Sequence, residues 1–246
     1  MLTIGKKYNS YSIHSFFYKL MILLLLLRYS DISPQNRHSQ EKFYIDNFDY
    51  DISQLQSKWV GRSKLAFQFY KINEEKGENN SFLRAEVKNS SEFIGRYVKV
   101  DIVKYPFLNW RWRVHRLPPG GNESIKAVCD VPASVNVLVS AKKTLGVPTP
   151  ETIKYSWSTT LPRGTVTESP YAVWPSRCDI IVLQKGRQSK PEWVYEKRNV
   201  LQDFRKFYKK DPGNKLEIDG IVLMSDSDNT KSIAIADYDS IYFSKY

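Results

Sequence analysis

Asp226 and Asp228 stand one residue apart in Ser225-Asp226-Ser227-Asp228-Asn229-Thr230-Lys231, directly after the apolar run Ile221-Val222-Leu223-Met224. Alternating Asp oxygens are the kind of donor set that loops offer to hard cations, although the Gly and the distal Glu of an EF-hand loop are missing. A tight strand-end loop held by side-chain to backbone hydrogen bonds fits the same residues. Asp226, Asp228 and Asn229 are therefore candidate ligand contacts, and Asp130 joins them as a further acid. Another acidic set lies at the two ends of the chain: Asp46 and Asp49 in Tyr44-Ile45-Asp46-Asn47-Phe48-Asp49, and Asp237 and Asp239 in Asp237-Tyr238-Asp239-Ser240. The first and last strands of a jelly roll are often neighbours. That would gather Asp46, Asp49 and Asp239 as hard oxygen ligands for a structural calcium ion. Ordinary turn-forming aspartates are the alternative.

The segment Trp193-Val194-Tyr195-Glu196-Lys197-Arg198-Asn199 puts Glu196 and Arg198 on one strand face. Such charges often simply meet solvent. Alternatively, Arg113, Glu196 and Arg198 line one face with Trp157 and Tyr155, where rings stack on sugar surfaces and guanidinium forks bind carboxylates. For catalysis, Glu196 with Asp130 or Asp226 would form an acid/base pair, provided the carboxylates stand about 5–10 Å apart in a cleft. The three histidines, His14, His38 and His115, have no metal-ligand spacing, and His115 sits among arginines on a strand. Cys129 and Cys178 form one disulfide in an oxidising compartment or remain free, buried thiols. No P-loop or dinucleotide glycine pattern occurs.

The elements that must position these groups read mainly as strands. In Tyr97–Lys104, Val98, Val100 and Ile102 alternate with polar residues. The sharpest alternation is Leu108–His115: Leu108, Trp110, Trp112 and Val114 share one face, and Asn109, Arg111, Arg113 and His115 the other. Phe43–Phe48, Lys64–Tyr70, Ser81–Lys88, Ser134–Ser140, Thr152–Thr159, Cys178–Gln184, Glu192–Arg198, Leu216–Ser225, Ser232–Ala236 and Ser240–Phe243 read as further strands. Only about 199–210 has helical spacing, with Asn199 as N-cap, an apolar side of Val200, Phe204 and Phe207 or Tyr208, and Asp211-Pro212-Gly213 as the stop. The expected fold is all-β, a two-sheet β-sandwich of jelly-roll type with this one short helix. Residues 41–246 read as a single domain.

Residues 1–40 read separately. Lys6, Lys7 and Lys19 precede the apolar run Leu20–Leu27, which Arg28 closes. The run is shorter than the roughly 20 residues of a membrane-spanning helix and matches the layout of a signal peptide. Export to the periplasm or the exterior is the expectation, with a membrane anchor over about 16–28 as the alternative. The chain carries 37 basic and 26 acidic residues; five of the former and one of the latter lie in 1–40, which leaves 32 against 25, a net +7. Arg205-Lys206 and Lys209-Lys210 form the one basic cluster, a solvated helix face beside Asp203 and Asp211. No nucleic-acid-binding motif accompanies it, so no nucleic-acid partner is expected.

Four motifs, in order, resemble the bacterial domain of unknown function 3047 family over about residues 43–244. They are Tyr105-Pro106-Phe107-Leu108-Asn109-Trp110-Arg111-Trp112-Arg113-Val114-His115-Arg116-Leu117-Pro118, then Tyr155-Ser156-Trp157, then Trp193–Val200 with Asp203-Phe204-Arg205, and last Leu223–Thr230. The resemblance implies a single β-rich extracytoplasmic domain. The chain departs from the family pattern at Cys129-Asp130, where two adjacent acids are expected, and at Ser134 and Asn136, where Arg and an aromatic are usual. If those positions form a ligand site, this member binds differently or not at all. The first and last strands are also similar, more loosely, to those of galactose-binding-like jelly rolls.

The leading expectation is a non-catalytic, exported β-sandwich that binds carbohydrate or another anionic envelope polymer, touching membrane only through its N-terminal segment. Arg113, Asp130, Trp157, Glu196, Arg198, Asp226, Asp228 and Asn229 are its candidate contacts. The rivals are a hydrolase or lyase acting on an envelope polysaccharide and a purely structural envelope protein.

Overall fold

A computed structural model describes residues 41–246 except 79, 145, 146, 175 and 210. The apolar run Leu20–Leu27, His14 and His38 lie outside the described residues. In chain order the strands are β1 (Lys42–Asp46), β2 (Val60–Gly61), β3 (Tyr70–Glu74), β4 (Ser81–Lys88), β5 (Ser91–Asp101), β6 (Phe107–Arg116) and β7 (Ala133–Thr144). The remaining strands are β8 (Val147–Ser158), β9 (Val166–Glu168), β10 (Arg177–Lys185), β11 (Val194–Asn199), β12 (Glu217–Asp226) and β13 (Ile233–Ser244). They form two sheets, so the fold is the expected β-sandwich of jelly-roll type. One sheet has the order β11-β6-β13-β4-β3, with β1 also paired to β13; the other runs β2-β5-β12-β7-β8-β10-β9. First and last strands are indeed neighbours, through Phe43 opposite Phe243 and Tyr44 opposite Tyr242. No helix among the described residues is long and apolar enough to cross a membrane.

The alternation in β6 sets the core. Leu108, Trp110, Trp112 and Val114 all face inward and are buried, as read from the sequence. From the facing sheet, Tyr155 lies 5.6 Å from Trp110 and Trp157 lies 5.8 Å from Trp112, centroid to centroid. Trp110 and Trp112 themselves meet edge to face at 5.4 Å. These are favourable ring geometries, and the four rings bridge the two layers.

The single-helix expectation needs correcting. The helix Val200–Tyr208 is present, with Asn199 accepting a hydrogen bond from the Gln202 N–H as N-cap. A second helix, Ile52–Lys58, begins at Asp51, whose carboxylate accepts from the backbone N–H of Ser53 and Gln54. Its one buried side chain is Leu55, so it presents too narrow an apolar stripe to register as helical periodicity. The expected strand Lys64–Tyr70 is instead the short helix Ala66–Phe69 leading into β3. The break expected between Ala236 and Ser240 is a bulge within one strand: β13 slips register against β6 between Asp239 and Tyr242, and Ser240 takes a positive φ of 54°.

The outer face of the six-stranded sheet is a closed charge network. Asp237 and Asp239 lie opposite Arg113 and Arg111 in register, and both acids are fully buried. Asp237 receives Arg84, Arg113 and His115, each at 2.7 Å, while Asp239 receives Arg111 at 2.6 Å. Trp193 lies under the two arginines, 4.2 Å from Arg113 and 4.5 Å from Arg111. Burial by itself would raise the Asp237 carboxyl, but the donors from Arg84, His115 and Arg113 hold it below the ordinary carboxylate range. A depressed native value stabilises the fold above the unfolded Asp value near 3.9, and that stability is lost as pH falls further. Asp237→Asn is expected to cost roughly 3 kcal/mol at neutral pH, because it leaves its basic partners unpaired. It should also flatten the loss of stability below about pH 4, checked by urea melts of both proteins across pH 3–7.

Candidate functional site

The outer face of the seven-stranded sheet is built differently. With Ile153, Tyr155 and Trp157 fixed in the core, alternation turns Thr152, Lys154 and Ser156 of β8 to the other side. All three are nevertheless buried, Lys154 at 7% exposure. Two cross-sheet rows form the floor, Val222-Asn136-Lys154 and Leu138-Thr152-Cys178. The segment between β9 and β10 supplies a wall with Tyr171, Ala172 and Val173, and Cys129 lines the cavity from the loop that precedes β7. The cavity, partly open to solvent, is about 160 Å³, room for one ring-sized group, and Asp226, Asp228 and Asn229 are among its lining residues.

The acids converge through backbone geometry. The Asp130 carboxylate accepts the N–H groups of Asn229 (3.1 Å) and Thr230 (2.7 Å), which pins the turn after β12 against the loop before β7. Gly121 permits the close approach of that loop, since a Cβ there would stand 2.8 Å from the Asp130 carbonyl. One carboxylate oxygen from each of Asp130, Asp226 and Asp228 lies within 4.8 Å of the others. Asp226 is 5% exposed, and its Oδ1 meets no hydrogen-bond donor. Its carboxyl faces the second acid, Asp228, so a hydrogen bond between the two requires a shared proton. Burial first, then the charges of Asp228 and Asp130, push the Asp226 carboxyl well above its ordinary value, and Lys154 opposes this only in part.

Lys154 has no hydrogen-bond or ion-pair partner among the described residues, although its charge reaches Asp226, Glu123 and Cys129. Sequence reading missed it, because a lysine alternating with Ile153 and Tyr155 looks like a solvated outer residue, whereas Tyr171, Ala172 and Val173 wall the same cavity. Glu123, fully buried and bonded by the Ser158 hydroxyl at 2.6 Å, and Tyr171, bonded to Asn229, were missed because both sit in loops without motif.

The remaining expected contacts do not join this pocket. Arg113 belongs to the charge network on the other sheet. Trp157 is 1% exposed, with its indole N–H donated to the Gly186 carbonyl at 2.9 Å. The face of β11 that carries Glu196 and Arg198 turns inward, not to solvent. Glu196 accepts from Gln184 (2.7 Å) and the Trp112 indole (3.3 Å), and Arg198 forks onto Asp203 (2.7 Å) beside Tyr155. The inward turn is tolerated because β11 is an edge strand, where long side chains close the open side of the sandwich. The expected sugar face of Arg113, Trp157, Glu196 and Arg198 therefore does not form, nor does the acid pair of Glu196 with Asp130 or Asp226.

Asp46, Asp49 and Asp239 do not gather either, despite the pairing of β1 with β13. Asp46 is used by the Phe48 N–H, the Tyr50 hydroxyl, the Trp59 indole and Arg96; Asp49 accepts from Asn47 and Ser81; Asp239 is taken by Arg111. Their lone pairs serve protein donors, so the expected calcium set is replaced by separate structural acids.

Both cysteines are free and buried beside the pocket. Burial pushes the Cys129 thiol up to about 12 and the Cys178 thiol to about 11. Thiolate is the reactive form, so alkylation by iodoacetamide at pH 8 should be at least about a hundredfold slower in the native protein than in guanidinium. Mass spectrometry of the quenched reaction checks this, and rapid native labelling of either thiol contradicts it.

A family model for a protein of unknown function (DUF3047) matches residues 57–242, and the chain belongs to that family. Comparison with curated proteins finds no match. Among solved structures, the carbohydrate-binding module CBM27-1 of Caldicellulosiruptor saccharolyticus in complex with mannohexaose is similar at 9% identity and a TM-score of 0.41, covering 85% of this chain and 99% of that one. The non-crystalline cellulose specific module CBM28 is similar at 11% identity and a TM-score of 0.38, covering 78% and 90%. Endoglucanase cel12A from Rhodothermus marinus is similar at 9% identity and a TM-score of 0.37, covering 74% and 94%.

Proposed function

For this member of the DUF3047 family we propose a non-catalytic binding module that takes a saccharide group of an envelope polymer into the pocket on its seven-stranded sheet. One observation carries the reading: a buried ammonium, Lys154, and a buried carboxyl, Asp226, face one ring-sized cavity without pairing with each other. A hydroxyl is the neutral group that satisfies both, because it accepts from an ammonium while it donates to a carboxylate. The amides of Asn136 and Asn229 and the Tyr171 ring beside them extend the same chemistry to neighbouring hydroxyls and to the apolar side of a sugar. Cys129 and Asn136, two positions where the sequence departs from the family pattern, both line the cavity, which fits a ligand particular to this member.

Export remains part of the proposal on the strength of the basic and apolar N-terminal segment. The hydrolase reading has one supporting observation, the Asp226 carboxyl that burial and the neighbouring Asp228 push upward. Those acids sit together in the cavity lining, however, whereas glycosidase carboxylates flank the bond they cleave.

Glycan-array binding followed by titration calorimetry tests the proposal. Wild type should retain a saccharide, Lys154→Ala should weaken it roughly tenfold or more, as loss of a charge-assisted hydrogen bond does, and Arg113→Ala should leave affinity unchanged. No retention on the array, or an effect of Arg113→Ala alone, overturns it. Release of reducing ends from the bound polymer transfers the assignment to the hydrolase.

A further inference from the structure

Asp130 from the loop before β7, Asp226 from the end of β12 and Asp228 from the turn after it are brought within 4.8 Å of one another, with no basic side chain in ion-pair contact among the described residues. Elsewhere among the described residues the buried aspartates are neutralised directly: Asp46 by Arg96, Asp179 by Arg177, Asp203 by Arg198, Asp237 and Asp239 by arginines. Asp226 stands apart from these, because it is as buried as they are, its Oδ1 has no donor and no basic side chain among the described residues pairs with it, whereas Asp179, whose Oδ2 also lacks a hydrogen bond, has Arg177 at 2.7 Å. A buried carboxylate oxygen is costly in that condition unless a cation meets it. The pocket arginines do not do so, since Arg177 is held by Asp179 at 2.7 Å and Arg62 bonds to the Ser91 carbonyl. Lys154 supplies one positive charge against three carboxylates. With the proton shared by Asp226 and Asp228 displaced, two negative charges are left over, the charge of one divalent ion.

We propose that Asp130, Asp226 and Asp228 form a calcium-binding site beside the pocket. Calcium takes oxygen ligands at about 2.3–2.6 Å, so oxygens across the ion stand up to about 5 Å apart, the spread these three offer. Magnesium, which keeps most of its water and favours one or two carboxylates, fits three converging acids less well. Asp130 is already oriented by two backbone N–H groups and keeps a further lone pair on each oxygen for a metal. That arrangement fixes the 228–230 turn independently of the ion, as outer hydrogen bonds commonly do for metal ligands. The site opens on the cavity that holds Lys154, so coordination positions not filled by protein face the pocket. The inference goes beyond the carbohydrate reading and stands without it.

The test uses the full chain, stripped with EDTA and dialysed, in calcium titration calorimetry. Sensitised terbium luminescence, with Tyr171 in the same pocket, serves as a second readout. One calcium ion per chain is expected, with a melting temperature that climbs as calcium is added, because a ligand specific to the native state stabilises it. Asp228→Asn, a half-buried and near-isosteric change, should weaken calcium roughly tenfold or more, and Asp226→Asn likewise. Asp49→Asn should bind as wild type does. Absence of heat and of any melting shift at millimolar calcium overturns the site, as does undiminished binding in both pocket variants whose circular dichroism matches wild type. Repeating the glycan titration with and without EDTA separates the two readings: calcium binding without glycan capture removes only the carbohydrate reading, and glycan capture by a chain that binds no calcium removes only the metal site.

Discussion

The ring contact between the two sheets constrains the placement of nearly every polar group in this fold. Trp110 and Trp112 from one layer meet Tyr155 and Trp157 from the other, and all four are buried. A strand whose alternate residues are committed to a core has no choice about the rest. Once Tyr155 and Trp157 face inward, Lys154 must face outward, and once Trp112 faces inward, Arg111 and Arg113 must lie on the opposite surface. The core thus determines which polar residues of β6 and β8 are available for chemistry and on which side of the molecule.

The two outer faces use that constraint in opposite ways. On the six-stranded sheet Asp237 and Asp239 each lie in register with an arginine, and the network closes on itself with Trp193 stacked beneath. Charges matched in this way leave nothing for a ligand to satisfy. On the seven-stranded sheet the polar residues are covered by loops and left unmatched: Lys154, Asp226 and Asp228 share a cavity without forming an ion pair. Burial makes such groups expensive in the folded chain, and groups kept at that cost are the ones from which a site can be argued. Both thiols and the buried Glu123 belong to the same environment, where desolvation sets protonation more than direct partners do.

Legibility in the sequence tracked the range of the signal. Strand alternation is local, and the two faces of Leu108–His115 were readable to the residue, as were the Asn199 cap and the apolar side of its helix. The helix at Ile52–Lys58 was not, because one buried leucine carries no periodicity. Of the candidate contacts, Asp130, Asp226, Asp228 and Asn229 meet, since they flank strand ends that the sheet brings together. Arg113, Trp157, Glu196 and Arg198 are scattered between outer face, core and sandwich edge. Residue type marked them, but type does not say which way an edge strand turns.

The sequence by itself therefore determined the all-β class, the shared face of Leu108, Trp110, Trp112 and Val114 and the adjacency of the first and last strands, because periodicity and turn chemistry act over a few residues. Only the tertiary structure decided where charge is compensated and where it is not. Asp46, Asp49 and Asp239 resemble Asp130, Asp226 and Asp228 as letters in a chain. The first three end beside donors of their own fold, and the second three end beside one another. Compensation is a property of neighbours in space, and Lys154, Asp130 and Asp226 meet only because the fold brings separate parts of the chain together.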